Sequence, residues 1–215
     1  MLLPSTEWEA KMTNKNNNKW DYNPSGNLMD ETTRRLMCSA LLSDSIIKCF
    51  NVGDDETFWP ADIDLLLVKK NFTIDTLEVK AVGFGNEKNS LDELSVFLEY
   101  ISNDKKYLQT GGKQGVGCTR ICKATYYLFY FTKIDYYLLF ETKQLQEFLE
   151  NNLEKFPSKA SITYGKDGQE LYKSYGIIVP VNTLRKEAGG RFIKSSCCYK
   201  QFEQEILKER NKKAS

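Results

Sequence analysis

The sequence predicts an α/β fold: a central mixed sheet of four or five strands with helices on its faces. Three observations carry that expectation. Pro60 to Val82 holds two apolar, β-prone runs, Leu65-Leu66-Leu67-Val68 and Thr76 to Val82, joined by the polar link Lys69-Lys70-Asn71. That pattern reads as a hairpin of two largely buried strands. A second pair of β-prone, aromatic runs, Tyr126 to Phe131 and Tyr136 to Phe140, follows later in the chain. Segments with apolar residues at helical spacing flank both pairs.

Taken in order, residues 1–26 are polar and rich in Asn and Lys, with Trp8, Trp20 and Tyr22 scattered through them. They read as a loosely ordered arm closed by the turn Asn23-Pro24-Ser25-Gly26. Leu36, Met37, Ala40, Leu41 and Ile47 give an apolar stripe, so a helix is expected over residues 28–49, with Ser43-Asp44-Ser45 as its weak point. Asp30 and Glu31 lie in its first turn, where acids favour the helix dipole. Asn51 to Trp59 is an acidic loop.

After the first hairpin, Gly83-Phe84-Gly85-Asn86 is a turn and Ser90-Leu91-Asp92-Glu93 fits a capping box. A helix is expected after it, with Leu94, Phe97, Leu98 and Ile101 on one face. Asp104 to Gly117 is a glycine-rich basic loop. It lacks the G-x-x-x-x-G-K-[ST] order of a P-loop, because Lys113 is followed by Gln114. Thr142 to Lys155 reads as a helix with Leu145, Phe148, Leu149 and Leu153 inward, ended by Pro157. Lys166-Asp167-Gly168 is a turn between two extended pieces, and Ile177 to Val181 reads as an edge strand because of Pro180. Asn182 caps a short helix to Ala188, closed by Gly189-Gly190. A last helix, about Tyr199 to Arg210, ends in a charged tail. The organisation expected is therefore an arm (1–26), an α/β domain (27–190) and a C-terminal helix with its tail (191–215).

Composition narrows the chemistry. The chain has 215 residues, a formal net charge of +1 and no histidine. The near-zero charge gives no global signature of nucleic-acid binding, so any such contact would come from a local patch. Lack of histidine excludes histidine-based triads and histidine–metal sites, and leaves carboxylate and lysine chemistry. The six cysteines form no C-x-x-C pair, so a zinc site would need four of them at unusual spacing. They read as reduced thiols of a cytoplasmic protein. No apolar run is long enough to span a membrane, and the N-terminus lacks the pattern of a secretory signal.

The candidate site lies in the first hairpin. Asp64 opens the first run; Glu78 and Lys80, two apart, project from one face of the second, with Val79 between them on the other. Charges in buried strands cost several kcal/mol, on the order of 3–5, unless they are paired or bind a metal. Two carboxylates facing each other across adjacent strands can hold a hard divalent cation. A lysine beside them can steady an attacking hydroxide or transition-state charge. An internal Glu–Lys ion pair with a capping Asp explains the same residues without chemistry. Asp62 shares a strand face with Asp64; Asp64 is preferred as the motif acid because an unbroken apolar run follows it directly.

Asp64, a gap of thirteen residues and then Glu78-Val79-Lys80 resembles the PD-(D/E)xK nuclease superfamily. The block Cys122-Lys123-Ala124-Thr125-Tyr126-Tyr127, with Thr142-Lys143-Gln144-Leu145 after the second strand pair, is similar to phage-type members. The resemblance spans about residues 28–187 and implies a restriction-endonuclease-like fold and a magnesium-dependent deoxyribonuclease, an endonuclease first of all, with manganese as a substitute metal. It also implies the roles. Asp64, Glu78 and the carbonyl of Val79 would ligate the metal, Glu31 on the first helix would complete the site, and Lys80 would orient water or stabilise charge. Lys113, Arg120 and Lys123 are the candidates for phosphate-backbone contacts. DNA is the implied partner, a homodimer is left open, and a viral enzyme would act in a host cytoplasm. Two alternatives stand beside this reading: a catalytically silent DNA-binding module, and a protein-interaction (anti-defence) factor built on the same fold.

Overall fold

The structure, a computed structural model, describes residues 31–82, 94–104, 115–131, 136–164 and 168–194. The N-terminal arm, the capping box at Ser90 to Glu93, Lys113 with most of its glycine-rich loop, and the helix expected at Tyr199 to Arg210 lie outside them.

The fold is mixed α/β and richer in strand than the sequence predicts. A six-stranded mixed sheet replaces the expected four or five strands, and a separate four-stranded sheet accompanies it. The first sheet contains β1 (Ile46–Asn51), β2 (Leu65–Lys69), β3 (Ile74–Val82), β6 (Tyr126–Phe131), β7 (Tyr136–Glu141) and β10 (Arg191–Lys194), in that spatial order. Every neighbouring pair is antiparallel except β3 and β6, which run parallel. The second sheet is antiparallel, in the order β5 (Gly115–Val116), β4 (Ser95–Asp104), β9 (Glu170–Pro180) and β8 (Ser158–Tyr164).

The period-2 alternation of β2 and β3 divides the core between two faces. Leu65, Leu67, Leu77 and Val79 point one way and pack with Met37, Cys38 and Leu41 of α1 (Glu31–Leu42). Full burial of side chains such as Met37 and Leu41 contributes about 1.5–3 kcal/mol each. On the opposite side, Tyr127, Phe129 and Phe131 of β6 pack against β4, β9, α3 (Thr142–Asn152) and α4 (Val181–Glu187). Leu145, Phe148, Leu149 and Asn152 are the buried stripe of α3, at helical spacing. The six-stranded sheet is thus the middle of three layers.

Four expectations change. The helix expected over 28–49 ends at Leu42, and Ile46–Asn51 is a strand; Ser39 Oγ takes the Ile46 N–H at 3.1 Å as the chain leaves the helix. The helix expected after the capping box is β4, paired with β9 from Ser95 opposite Pro180 to Asp104 opposite Tyr172. The strand read as an edge because of Pro180 is the end of β9, which lies inside its sheet. Pro180 is tolerated there because it is the strand's last residue, and Val181 N–H already bonds the Leu94 carbonyl at 2.9 Å. Beyond the boundary expected at residue 190, Arg191–Lys194 pairs with β7 as part of the first sheet.

A short helix, α2 (Cys118–Ile121), joins the second sheet to β6. Gln146 Nε2 lies within 3.1 Å of the carbonyls of Thr119, Arg120 and Cys122 and shares its two hydrogens among them. This satisfies carbonyls that a helix end leaves open. A Cβ on Gly117, at its N-terminus, would stand 2.7 Å from the backbone of Glu99 and Ile101, so only glycine permits this approach to β4. No helix among the described residues is long and apolar enough to cross a membrane.

Candidate active site

The register of the first hairpin sets the site. Leu65 lies opposite Leu77, so Asp64, one residue earlier, falls opposite Glu78. Asp64 is anchored at both ends: its N–H donates to the Leu77 carbonyl at 3.1 Å, and its Oδ2 accepts the Val79 N–H at 2.8 Å. Its Oδ1 lies under the loop after β1, where a Cβ on Gly53 would approach it to 2.8 Å. Trp59 Nε1 holds that loop by donating to the Gly53 carbonyl at 3.0 Å.

Asp62 closes the 3₁₀ turn Trp59–Ala61 in the left-handed region, with φ 52°. That conformation is uncommon for a non-glycine residue and is tolerated best by Asp and Asn. It turns the carboxylate toward Lys80, with Oδ1 3.3 Å from Nζ. Its other oxygen, Oδ2, is buried and has no hydrogen-bond partner among the described residues. Lys80 Nζ also pairs with Glu78 Oε1. Glu78 is 2% exposed, whereas the Lys80 side chain retains 35%.

One ammonium therefore pairs with two carboxyl groups, and the charge of Lys80 also acts on a third, Asp64, in a poorly solvated setting. Burial pushes Glu78 up to about 9; Lys80 opposes this, and Asp64 and Asp62 reinforce it. Burial also raises Asp64, against the Val79 amide and Lys80, and raises Asp62, against Lys80. For Lys80, burial works against the charge, but Tyr127, Glu78, Cys118 and Asp62 outweigh it and hold the ammonium well above the ordinary lysine value. Burial and mutual repulsion among these acids thus favour their protonated forms.

The second sheet contributes a rear wall. Glu99 Oε1 accepts the Cys118 N–H at 3.2 Å, and its charge adds to the rise at Asp62. Cys118 Sγ lies 3.8 Å from the buried Tyr127 hydroxyl, and Cys122 Sγ donates to the Asp62 carbonyl at 3.3 Å. Burial pushes both thiols up to about 12, so neither is a thiolate nucleophile at neutral pH.

Among the described residues, no three acidic or cysteine side chains converge as a cage for a metal ion. The Lys80 ammonium stands between Glu78 and Asp62 instead. Magnesium does not require such a cage, since it is commonly held by one or two carboxylates plus water. The oxygen-only donor set and the unpartnered Asp62 Oδ2 fit a hard divalent cation.

No family model, no curated protein and no solved structure matches this chain.

The structure brings Asp64, Glu78, Val79 and Lys80 together, as their spacing suggests, and adds Asp62. Glu31 lies elsewhere: Oε1 accepts the Cys49 N–H at 3.1 Å, on the outermost strand of the sheet. A free edge amide needs an acceptor, and the first turn of α1 supplies it. Arg120 is bonded within the chain through a bidentate pair with Glu150 (Nη2 to Oε2, 2.7 Å) and an Nη1 contact to the Tyr100 carbonyl at 3.2 Å. Lys123 is exposed, and its N–H holds the Ala61 carbonyl at 2.8 Å beside Asp62. Glu99, Cys118 and Tyr127 were not legible as neighbours of the acids. Reading residues 94–101 as a helix concealed a strand whose register shifts between Glu99 and Ile101, where Glu99 leaves the alternation set by Leu94, Val96 and Leu98 and takes the Cys118 N–H.

Proposed function

We propose that the chain is a divalent-metal-dependent nuclease that hydrolyses DNA phosphodiester bonds. The observation that carries the reading is the surplus of carboxyl groups around Lys80, Glu78 buried and Asp62 and Asp64 half-buried, with an oxygen on Asp62 that has no partner among the described residues. A structural ion pair needs one carboxylate for one ammonium; this cluster sets two against Lys80 and a third, Asp64, opposite Glu78.

In this reading, Asp64 and Glu78 hold magnesium or manganese, with the Val79 carbonyl as the further ligand that the family resemblance implies. A metal so held would supply charge neutralisation at a phosphoryl oxygen and an activated water. Lys80, whose side chain is partly exposed, would place positive charge beside the phosphoryl oxygens. Asp62 and Glu78 fix its position, so little reorganisation is needed as charge develops. Gly53 and Trp59 keep the loop closed over Asp64. Lys123, exposed next to Asp62, suits a phosphate contact; Arg120 serves instead to tie α2 to α3. A restriction-endonuclease-like core is consistent with an acid at the head of β2, the Glu-x-Lys on its antiparallel neighbour β3, and α1 on one face.

A catalytically silent DNA-binding module is the second reading. It is favoured by the ammonium standing between Glu78 and Asp62, as in a purely structural pair.

The deciding experiment is cleavage of linear duplex, circular single-stranded and branched DNA with magnesium or manganese. Lys80→Ala and Glu78→Ala run beside the wild type. Each is expected to lose about a hundredfold or more in rate. No cutting of any substrate, or cutting that survives both substitutions, would overturn the nuclease reading.

A further inference from the structure

The face of the first sheet that carries the acids does not stop at them. Two residues along from the pair Asp64 and Glu78, the rung Phe50–Leu66–Thr76 crosses β1, β2 and β3; two residues further, Lys48–Val68–Ile74 crosses them again. Rungs two residues apart are separated by about 6.7 Å. Their neighbours Leu65, Leu67, Leu77 and Cys49 are buried beneath α1, so these side chains face the other way. The second layer covers β6 and β7 on that side but leaves this corner open. Phe50 is 50% exposed and Ile74 60%, and Phe72 at the hairpin tip is 82% exposed.

This open corner has a definite chemistry. It is apolar and aromatic in the middle, and its charged members are lysines: Lys48 on the outer rung and Lys70 at the tip, both exposed. Neither rung carries a carboxylate. Phe72 also has φ 63°, so the tip combines backbone strain with apolar exposure. A DNA duplex presents phosphates and groove edges, which give Phe50, Leu66, Val68 and Ile74 nothing to pack on. An unpaired strand presents both the π-faces of bases and a backbone for lysines, the pairing used by single-strand binding grooves.

We infer that this corner is a platform for single-stranded DNA, leading an unpaired strand past Phe72, Ile74 and Phe50 to the Asp64–Glu78–Lys80 site. The inference rests on the nuclease reading for its destination, and it deepens that reading by naming the substrate as an unpaired strand. Phe50 and Phe72 stack on bases; Lys48 and Lys70 meet phosphates.

The test is fluorescence anisotropy in chelator, where nothing is cut. It uses a labelled oligodeoxythymidylate of about 16 nucleotides, the upper end of one binding groove's site size, and the same strand annealed to oligodeoxyadenylate. The single strand is expected to bind more tightly. Phe50→Ala, Ile74→Ala and Phe72→Ala should each weaken it, the aromatic changes by about tenfold. Their melting temperatures should stay near wild type, because all three side chains are half or more exposed. Ile162→Ala, on the outer strand of the second sheet, should leave binding unchanged. A duplex bound as tightly as the single strand would overturn the platform. So would wild-type affinity in all three variants, equal weakening by Ile162→Ala, or tighter binding of an RNA of the same length. Platform and nuclease fail separately. Single-strand binding lost in the variants, with no cutting of any DNA, removes only the chemistry. Metal-dependent cutting confined to duplex and untouched by Phe50→Ala removes only the platform.

Discussion

Replacing Glu78 with glutamine is expected to make the protein less sensitive to rising pH. In the unfolded chain this carboxyl gives up its proton near the ordinary value of 4.5; in the folded chain burial holds the proton up to about 9. Between those values the folded state binds more protons than the unfolded state. Raising the pH therefore shifts the balance toward unfolding, and the stability present below 4.5 is progressively lost up to about 9. One whole proton would give a slope of about 1.4 kcal/mol per pH unit. Because Asp62, Asp64 and Glu78 share the deficit around one ammonium, a slope of about 0.5–1 kcal/mol per unit is expected. From about pH 6 to about pH 8 that is about 1–2 kcal/mol, or about 2–8 °C in Tm for a chain of this size. Glutamine keeps the shape and an acceptor for Lys80 but has no proton to lose. The assay is thermal unfolding in chelator at both pH values, wild type beside Glu78→Gln. The wild type should show the larger drop in Tm over that interval. Identical pH dependence in the two proteins would refute the account of the buried carboxyl cluster. Excess magnesium should raise the wild-type Tm by mass action and leave Glu78→Gln nearly unchanged.

Gly117→Ala should destabilise by about 1–3 kcal/mol, because its Cβ would meet the backbone of Glu99 and Ile101 at 2.7 Å; a melt within a degree of wild type would contradict that contact. Arg120→Ala should cost about 1 kcal/mol of stability through the partly exposed Glu150 pair, with oligonucleotide affinity close to wild type; lost affinity at unchanged stability would return Arg120 to the binding surface. Cys118 and Cys122, with thiols raised to about 12, should resist alkylation at neutral pH in the folded protein; rapid labelling of either, located by peptide mass, would contradict those raised values.

Local pattern in the sequence determined the first hairpin, the aromatic strand pair and α3. It also placed Asp64, Glu78 and Lys80 together, because alternation along a strand and the offset across a short hairpin are set by nearest neighbours in the chain. It did not determine β4. Leu94, Phe97, Leu98 and Ile101 fit a helical stripe, while Val96 and Leu98 fit a strand; pairing with β9, some eighty residues away, decided between them. The same long-range pairing placed Pro180 at the end of an internal strand. Glu31 was legible as an acid in a first helical turn, but its partner was not. The free amide of Cys49, on an edge strand that replaced the end of the expected helix, claims it. The sequence left Asp62 open beside Asp64 and did not single out Glu99; tertiary structure put both beside the site. One depends on a left-handed residue that turns its carboxylate onto Lys80, the other on the second sheet packing behind it. Strand and helix periods are written in consecutive residues; which carboxylates share one buried ammonium depends on segments that meet only when the layers pack, and on the burial that then makes their charges costly.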